Sequence, residues 1–235
     1  MANFGRNVEP GGAVISGVIF DAFGTILRID QRTNPYLQLF REGRRQGCSL
    51  GPEAIHQAMT MDLSLDDFAA RLGIMLSPRS REELNRALQL ELDSTTPYGD
   101  ALKCIALLQG AGVQVGICSN LAAPFGRIVE ELFPKMDGYA FSFKLGIMKP
   151  DPAIYHAVCS QMNVSPGHNF SAGQGRVLMI GDSQRCDRDA PRAIGIMGLH
   201  LDRTGRGRIS DLAQFAQLVI DQIQQDHSAA WGESR

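Results

Sequence analysis

The sequence predicts an α/β fold: a doubly wound parallel sheet with a small all-helical domain inserted near its start. Three observations predict it. Short apolar runs alternate with helical stretches from residue 97 onward, the pattern of a parallel sheet covered on both faces. Three of the runs end in polar residues, at Asp21, at Ser119-Asn120 and at Gly181-Asp182. Residues 35–92 carry helical periodicity and no convincing strand.

Taken in order, residues 1–12 read as a polar, Gly-rich lead-in, and 14–20 as a buried strand ending at Asp21. In the helical block, apolar periodicity recurs at 36–40, 55–61, 68–72 and 84–92. Helix starts are expected at Gly51-Pro52, at Ser64, and at Ser80 with Glu83 three residues on. Beyond Pro97, helix 100–109 stops at Gly110-Ala111-Gly112, and strand 113–118 leads to Ser119-Asn120. Helix 124–132, a short strand 139–143, helix 152–162 and strand 177–180 follow. Helix 187–194 tolerates Pro191 only in its first turn. Strand 198–201 and helix 209–225 close the pattern. The expected division is a core of residues 1–30 and 97–235 and a helical cap of 31–96, hinged at 28–35 and 93–97.

Composition bounds the function. The chain has 235 residues, enough for one large core with an appended unit, and a formal net charge of -2. Neither a nucleic-acid nor a membrane partner is suggested by that charge, and no run approaches the roughly 20 apolar residues of a membrane span. The arginines between 185 and 208 read as a solvated face rather than a polyanion patch. Five scattered cysteines, an odd number with no Cys-x-x-Cys pair, predict reduced thiols and a cytoplasmic protein. Oligomeric state is not legible.

In open parallel sheets, ligands bind beyond the carboxyl ends of the strands. Asp21, Ser119 and Asp182 are expected there together. A carboxylate at that rim can act as a nucleophile. Ser119 can donate its hydroxyl, and Asn120 its backbone N–H, to a phosphate oxygen. Lys149, in a loop stiffened by Pro150 and Pro152, can neutralise both carboxylate and phosphoryl group. Asp182 and Asp187 can join Asp21 around a hard cation such as Mg²⁺. Singly, each residue has an ordinary explanation as a turn former, helix cap or solvated lysine. Their common order and placement argue for a site.

The chain resembles the haloacid dehalogenase-like hydrolase superfamily. The resemblance rests on Asp21-Ala22-Phe23-Gly24-Thr25, Ser119-Asn120, Lys149-Pro150-Asp151-Pro152, and Gly181-Asp182-Ser183 with Asp187, and covers roughly residues 14–205. It implies a Rossmann-like core and the subclass whose helical cap lies between the first and second motifs. It implies an aspartyl intermediate on Asp21. Ser119, Asn120, Lys149 and Thr25 would bind phosphate. Mg²⁺ would be held by Asp21, the Phe23 carbonyl, Asp182 and Asp187. The substrate would be a small molecule.

The sequence departs from the phosphatase pattern at Phe23. Phosphatases of the family usually carry Asp there, to protonate the leaving alcohol and then activate water. Positioned acid–base catalysis contributes about 10²–10⁴-fold. Three readings stay open. The protein is a Mg²⁺-dependent phosphatase with an acid from the cap or an easy leaving group. Alternatively it is a 2-haloacid dehalogenase, a branch with an aromatic residue here, using Arg41, Arg44 or Arg45 as a halide cradle. Alternatively it binds a phosphorylated metabolite or a protein without efficient catalysis. Asp182 favours the first, because without a cation Asp182 beside Asp21 would raise the pKa of one of them and impair the nucleophile.

Overall fold

The computed structural model describes residues 15–167 and 175–232. The expected lead-in, residues 168–174 and the last three residues lie outside them. In chain order the elements begin with β1 (Ile15–Phe20) and β2 (Leu27–Ile29). Four helices follow: α1 (Pro35–Arg45), α2 (Pro52–Thr60), α3 (Leu65–Arg71) and α4 (Pro78–Asp93). Next come β3 (Thr95–Pro97), α5 (Gly99–Gly110), β4 (Gln114–Ser119), α6 (Ala123–Leu132), β5 (Gly138–Phe141), α7 (Ser142–Leu145) and α8 (Pro152–Gln161). The chain ends in β6 (Arg176–Gly181), a π-helical turn (Gln184–Asp189), α9 (Ala190–Arg192), β7 (Met197–His200) and α10 (Leu212–Gly232).

A five-stranded sheet runs β5-β4-β1-β6-β7, every pair parallel. Burial on both faces explains the continuous apolar runs. Successive side chains point to opposite faces. Ile19, Cys118 and Met179 therefore pack with Tyr155 and Val158 of α8. Their neighbours Val18, Phe20, Ile117 and Ile180 pack on the other face with Leu108 of α5 and Phe215 of α10. The rings of Phe20 and Phe215 meet edge to face, 6.0 Å apart. Chain order reverses on either side of β1, so the crevice above β1 and β6 is a switch point where a ligand can enter.

The helical block forms as expected, but the segments on either side of it are strands. Leu27 pairs with Pro97, Arg28 with Thr96 and Ile29 with Thr95 in an antiparallel two-stranded ribbon. At three residues each, these strands are too short to show an alternation. The Asp30 N–H donates to the Ser94 carbonyl at 3.1 Å, and the Gln31 N–H to Ser94 Oγ at 3.1 Å. Farther along, Glu91 Oε1 accepts the N–H groups of Thr33 (2.8 Å) and Asn34 (2.6 Å). The start of α1 and the end of α4 are thus fastened together where they leave the ribbon.

Local chemistry sets the other boundaries. Ser64 caps α3, accepting the Asp67 N–H at 3.1 Å. Ser77, not Ser80, caps α4. Its hydroxyl accepts the Ser80 N–H at 3.1 Å, and Pro78 occupies the first turn, where a missing N–H costs nothing. The expected strand 139–143 ends at Phe141, because Ser142 opens a one-turn helix that stops at Gly146 with φ 69°. The expected helix 187–194 is instead a π-helical turn running into α9, with Pro191 in the first turn of α9.

Candidate active site

β1 delivers Asp21 to its C-terminal end, where the Asp21 N–H donates to the Ile180 carbonyl at 3.0 Å and locks the turn to β6. The loop then folds back on itself: the N–H groups of Ile26 and Leu27 reach the Ala22 carbonyl, both at 2.9 Å. Gly24 has φ 85°, and a Cβ there would fall inside van der Waals contact of Asp182 Oδ2. A Cβ at Gly181 would likewise strike Asp187 Oδ2. Two glycines therefore let backbone from β1 and β6 close on the acidic groups.

The structure brings Asp21, Phe23, Ser119, Asn120, Lys149, Asp182 and Asp187 to one cavity of about 260 Å³. Lys149 is 3% exposed and donates to Asp21 Oδ1 and to Asp187 Oδ1, each at 2.7 Å. Ser119 Oγ donates to Asp21 Oδ1 at 3.1 Å. Asp187, 1% exposed, receives the Ser183 N–H on Oδ2 at 2.9 Å, while Ser183 Oγ accepts the Cys186 N–H at 3.2 Å. This reciprocal pair resembles a capping box and anchors Asp187 in the π-helical turn. Carboxylate oxygens of Asp21, Asp182 and Asp187 lie within 4.8 Å of one another.

Thr25 and the side chain of Asn120 have partners within the protein. Thr25 is fully buried behind Asp21, its hydroxyl 3.3 Å from Asp21 Oδ2, and it does not line the cavity. The Asn120 side chain is committed to Lys149: Oδ1 accepts the Lys149 N–H at 2.7 Å and Nδ2 donates to the Lys149 carbonyl at 2.9 Å. Asn120 thereby fixes the loop whose next peptide, Lys149–Pro150, is cis.

Charge in the site is unbalanced. Desolvation opposes the charge on Lys149, but Asp21 and Asp187 override it and hold the ammonium well above its usual pKa. Desolvation pushes Asp187 up to about 6 against the opposing pull of Lys149. Asp182, open to solvent on one side, is also raised, first by desolvation and then by Asp21. Three carboxylates around one lysine retain more negative charge than the site can hold comfortably. The all-oxygen donor set and close glycine backbone fit a hard divalent cation. Cys118, buried beneath the site, is pushed up to about 12 by desolvation and stays a thiol.

A second cavity of about 240 Å³ shares Phe23 and Asn120 with the first and extends toward the helical block. Phe23 stands in its wall, edge to face with Phe125 at 5.6 Å. Arg41, Arg44 and Arg45 are exposed and do not line it; the arginine that does is Arg32.

Sequence reasoning missed two supporting residues. Arg203 donates to the Thr25 carbonyl at 2.6 Å and to both oxygens of Asp100 at 3.0 and 3.2 Å, and lies 3.7 Å from the Tyr98 ring centroid. Asp100 Oδ2 also accepts the Leu212 N–H at 2.8 Å, so Arg203 ties the Asp21 loop to α5 and α10. Ser142 Oγ accepts the Leu121 N–H at 3.0 Å and steadies the turn after Ser119-Asn120.

The sequence model described as "Hydrolase: haloacid dehalogenase-like hydrolase" matches residues 15–195. No curated protein matches significantly. Among solved structures, a HAD phosphatase from Thermococcus onnurineus is similar, with 19% identity and a TM-score of 0.62, over 87% of this chain and 97% of that one. An L-2-haloacid dehalogenase is similar at 19% identity and TM-score 0.58, over 88% and 99%. A HAD family enzyme from Bacteroides thetaiotaomicron, solved as a magnesium complex, is similar at 16% identity and TM-score 0.55, over 79% and 92%. No helix among the described residues is long and apolar enough to cross a membrane.

Proposed function

The chain belongs to the haloacid dehalogenase-like hydrolase family, and on that premise we propose that it is a Mg²⁺-dependent phosphatase acting on a small phosphorylated molecule through an aspartyl intermediate. The observation that carries this is the cluster of Asp21, Asp182 and Asp187 around a single lysine. Asp21, Asp182, Asp187 and the Phe23 carbonyl would hold Mg²⁺, which when bound offsets the excess carboxylate charge and polarises the phosphoryl oxygens.

Asp21 attacks phosphorus in line, and the phosphoryl group passes to its carboxylate. Ser119 Oγ, the Asn120 N–H and the Lys149 ammonium stabilise charge on the transferring oxygens. Thr25 and Arg203 position the nucleophile loop and do not touch phosphate. Water then cleaves the aspartyl-phosphate. The helical block, residues 31–96, acts as a cap over the second cavity and excludes solvent.

A second reading, hydrolysis of a carbon–halogen bond, is favoured by one observation: the aromatic wall of Phe23 and Phe125 beside Arg32 suits a leaving group that needs no proton. One panel separates the two. The protein is incubated with p-nitrophenyl phosphate, an alkyl phosphate and 2-chloropropionate, with Mg²⁺ or with EDTA, and phosphate and halide release are measured. Phosphate release abolished by EDTA is expected; chloride release that survives EDTA would overturn the phosphatase reading.

A further inference from the structure

Phe23 has no proton to give, so an alkoxide leaving from phosphorus must find one elsewhere. Glu91, in the last turn of α4, is 4% exposed and lines the second cavity together with Phe23 and Asn120. Its Oε1 is held by the N–H groups of Thr33 and Asn34. Its Oε2 has no hydrogen-bond partner among the described residues, and it is not enclosed away from solvent. No cation pairs with it among the described residues, although Arg32 lines the same cavity. One oxygen fixes the side chain; the other is open to solvent, on a residue lining a cavity that shares Phe23 and Asn120 with that of Asp21.

We propose that Glu91 is the acid–base residue that Phe23 is not. The inference rests on the phosphatase reading above and deepens it. As Asp21 bonds to phosphorus, the bond from phosphorus to the leaving oxygen breaks, its electron pair stays on that oxygen, and the Glu91 carboxyl gives up its proton to form the alcohol. The resulting Glu91 carboxylate takes a proton from water as the water oxygen bonds to phosphorus. The Asp21–phosphorus bond then breaks, and inorganic phosphate leaves with Asp21 and Glu91 restored. Glu91 comes from the helical block and lies beside the ribbon, so it reaches the leaving group only when that block faces the sheet as it does here.

The test separates proton transfer from the clamp. Glu91→Gln keeps an amide oxygen for the Thr33 and Asn34 N–H groups and removes the acid; Glu91→Ala removes both. In single-turnover measurements with Mg²⁺, Glu91→Gln should slow alkyl phosphate cleavage about 10²–10⁴-fold. It should spare the burst of nitrophenol from p-nitrophenyl phosphate, whose leaving group needs no proton, while slowing the later steady state. An equal fall in both single-turnover rates, or no fall in either, would overturn the assignment while leaving the phosphatase reading intact. A wild-type protein that releases phosphate from neither substrate would overturn both.

Discussion

Replacing Lys149 with Met keeps most of the aliphatic stem and deletes the ammonium. The side chain is 3% exposed, and its two bonds to Asp21 and Asp187 are 2.7 Å long. Its loss strands two buried carboxylates beside a third. Breaking a buried pair by removing one partner costs about 3–5 kcal/mol. In a domain of this size, each kcal/mol moves Tm by roughly 2–4 °C, so the variant should melt about 6–20 °C lower at pH 7.5 in EDTA. The loss must also depend on pH with a definite sign. Without the lysine, Asp187 and Asp182, already raised by desolvation, lose the charge that lowers them and move further above their unfolded values. A raised carboxylate binds its proton in the folded state, so stability falls as pH rises from the unfolded to the folded value. The gap between Lys149→Met and wild type should therefore be smallest near pH 4 and widen toward pH 8. Thermal melts across that range provide the measurement. A variant within about 1 kcal/mol of wild type at pH 7.5, or a deficit that does not shrink in acid, would refute the argument from buried charge.

Other expectations follow from the same geometry. Metal-free wild-type protein should lose about 3 kcal/mol of stability between pH 4 and 6 as Asp187 ionises, and Mg²⁺ should stabilise it more strongly above pH 6 than below, as read by melts with and without the ion. Gly24→Ala forces a Cβ against Asp182 at positive φ. It should destabilise by about 1–3 kcal/mol and shrink the Mg²⁺-induced rise in Tm; an unchanged rise would mean that Asp182 does not ligate. Phe23→Asp forfeits the ring pair with Phe125, worth about 0.5–1.5 kcal/mol, yet in the Glu91→Gln background it should raise alkyl phosphate turnover in steady-state assays. Arg203→Met should cost about 1–3 kcal/mol in urea unfolding, because it removes the cation from Asp100 and frees the Thr25 carbonyl.

Much of the architecture was legible because burial on two faces leaves long apolar runs, and polar residues stand out where those runs end. Asp21, Ser119 and Asp182 were found that way. Lys149 lies in a loop, and only its motif placed it in the set; the structure adds the side chain of Asn120 as its anchor. What escaped depends on pairing across distance. Leu27–Ile29 and Thr95–Pro97 are too short for an alternation, and Pro97 argues against a strand until its partner is known. Arg203 sat among arginines read as a solvated face, and nothing local links it to Thr25, 178 residues away. Glu91 continues the buried face of Leu84 and Leu88, but a carboxylate at that position reads as the end of the apolar pattern rather than part of it.

The ribbon of β2 and β3 has a consequence for how such a molecule can change over generations. Its strands pair like the stem of a hairpin, and everything from Asp30 to Ser94 occupies the place of the hairpin's tip. A tip can be lengthened, shortened or exchanged without altering the order of the five-stranded sheet, because the stem closes before the tip begins. The bond-breaking groups on the sheet and the surface that meets the rest of the substrate are therefore free to diverge at separate rates. Glu91 stands on the exchangeable side, so a transplanted tip would carry its own proton donor with it or arrive without one.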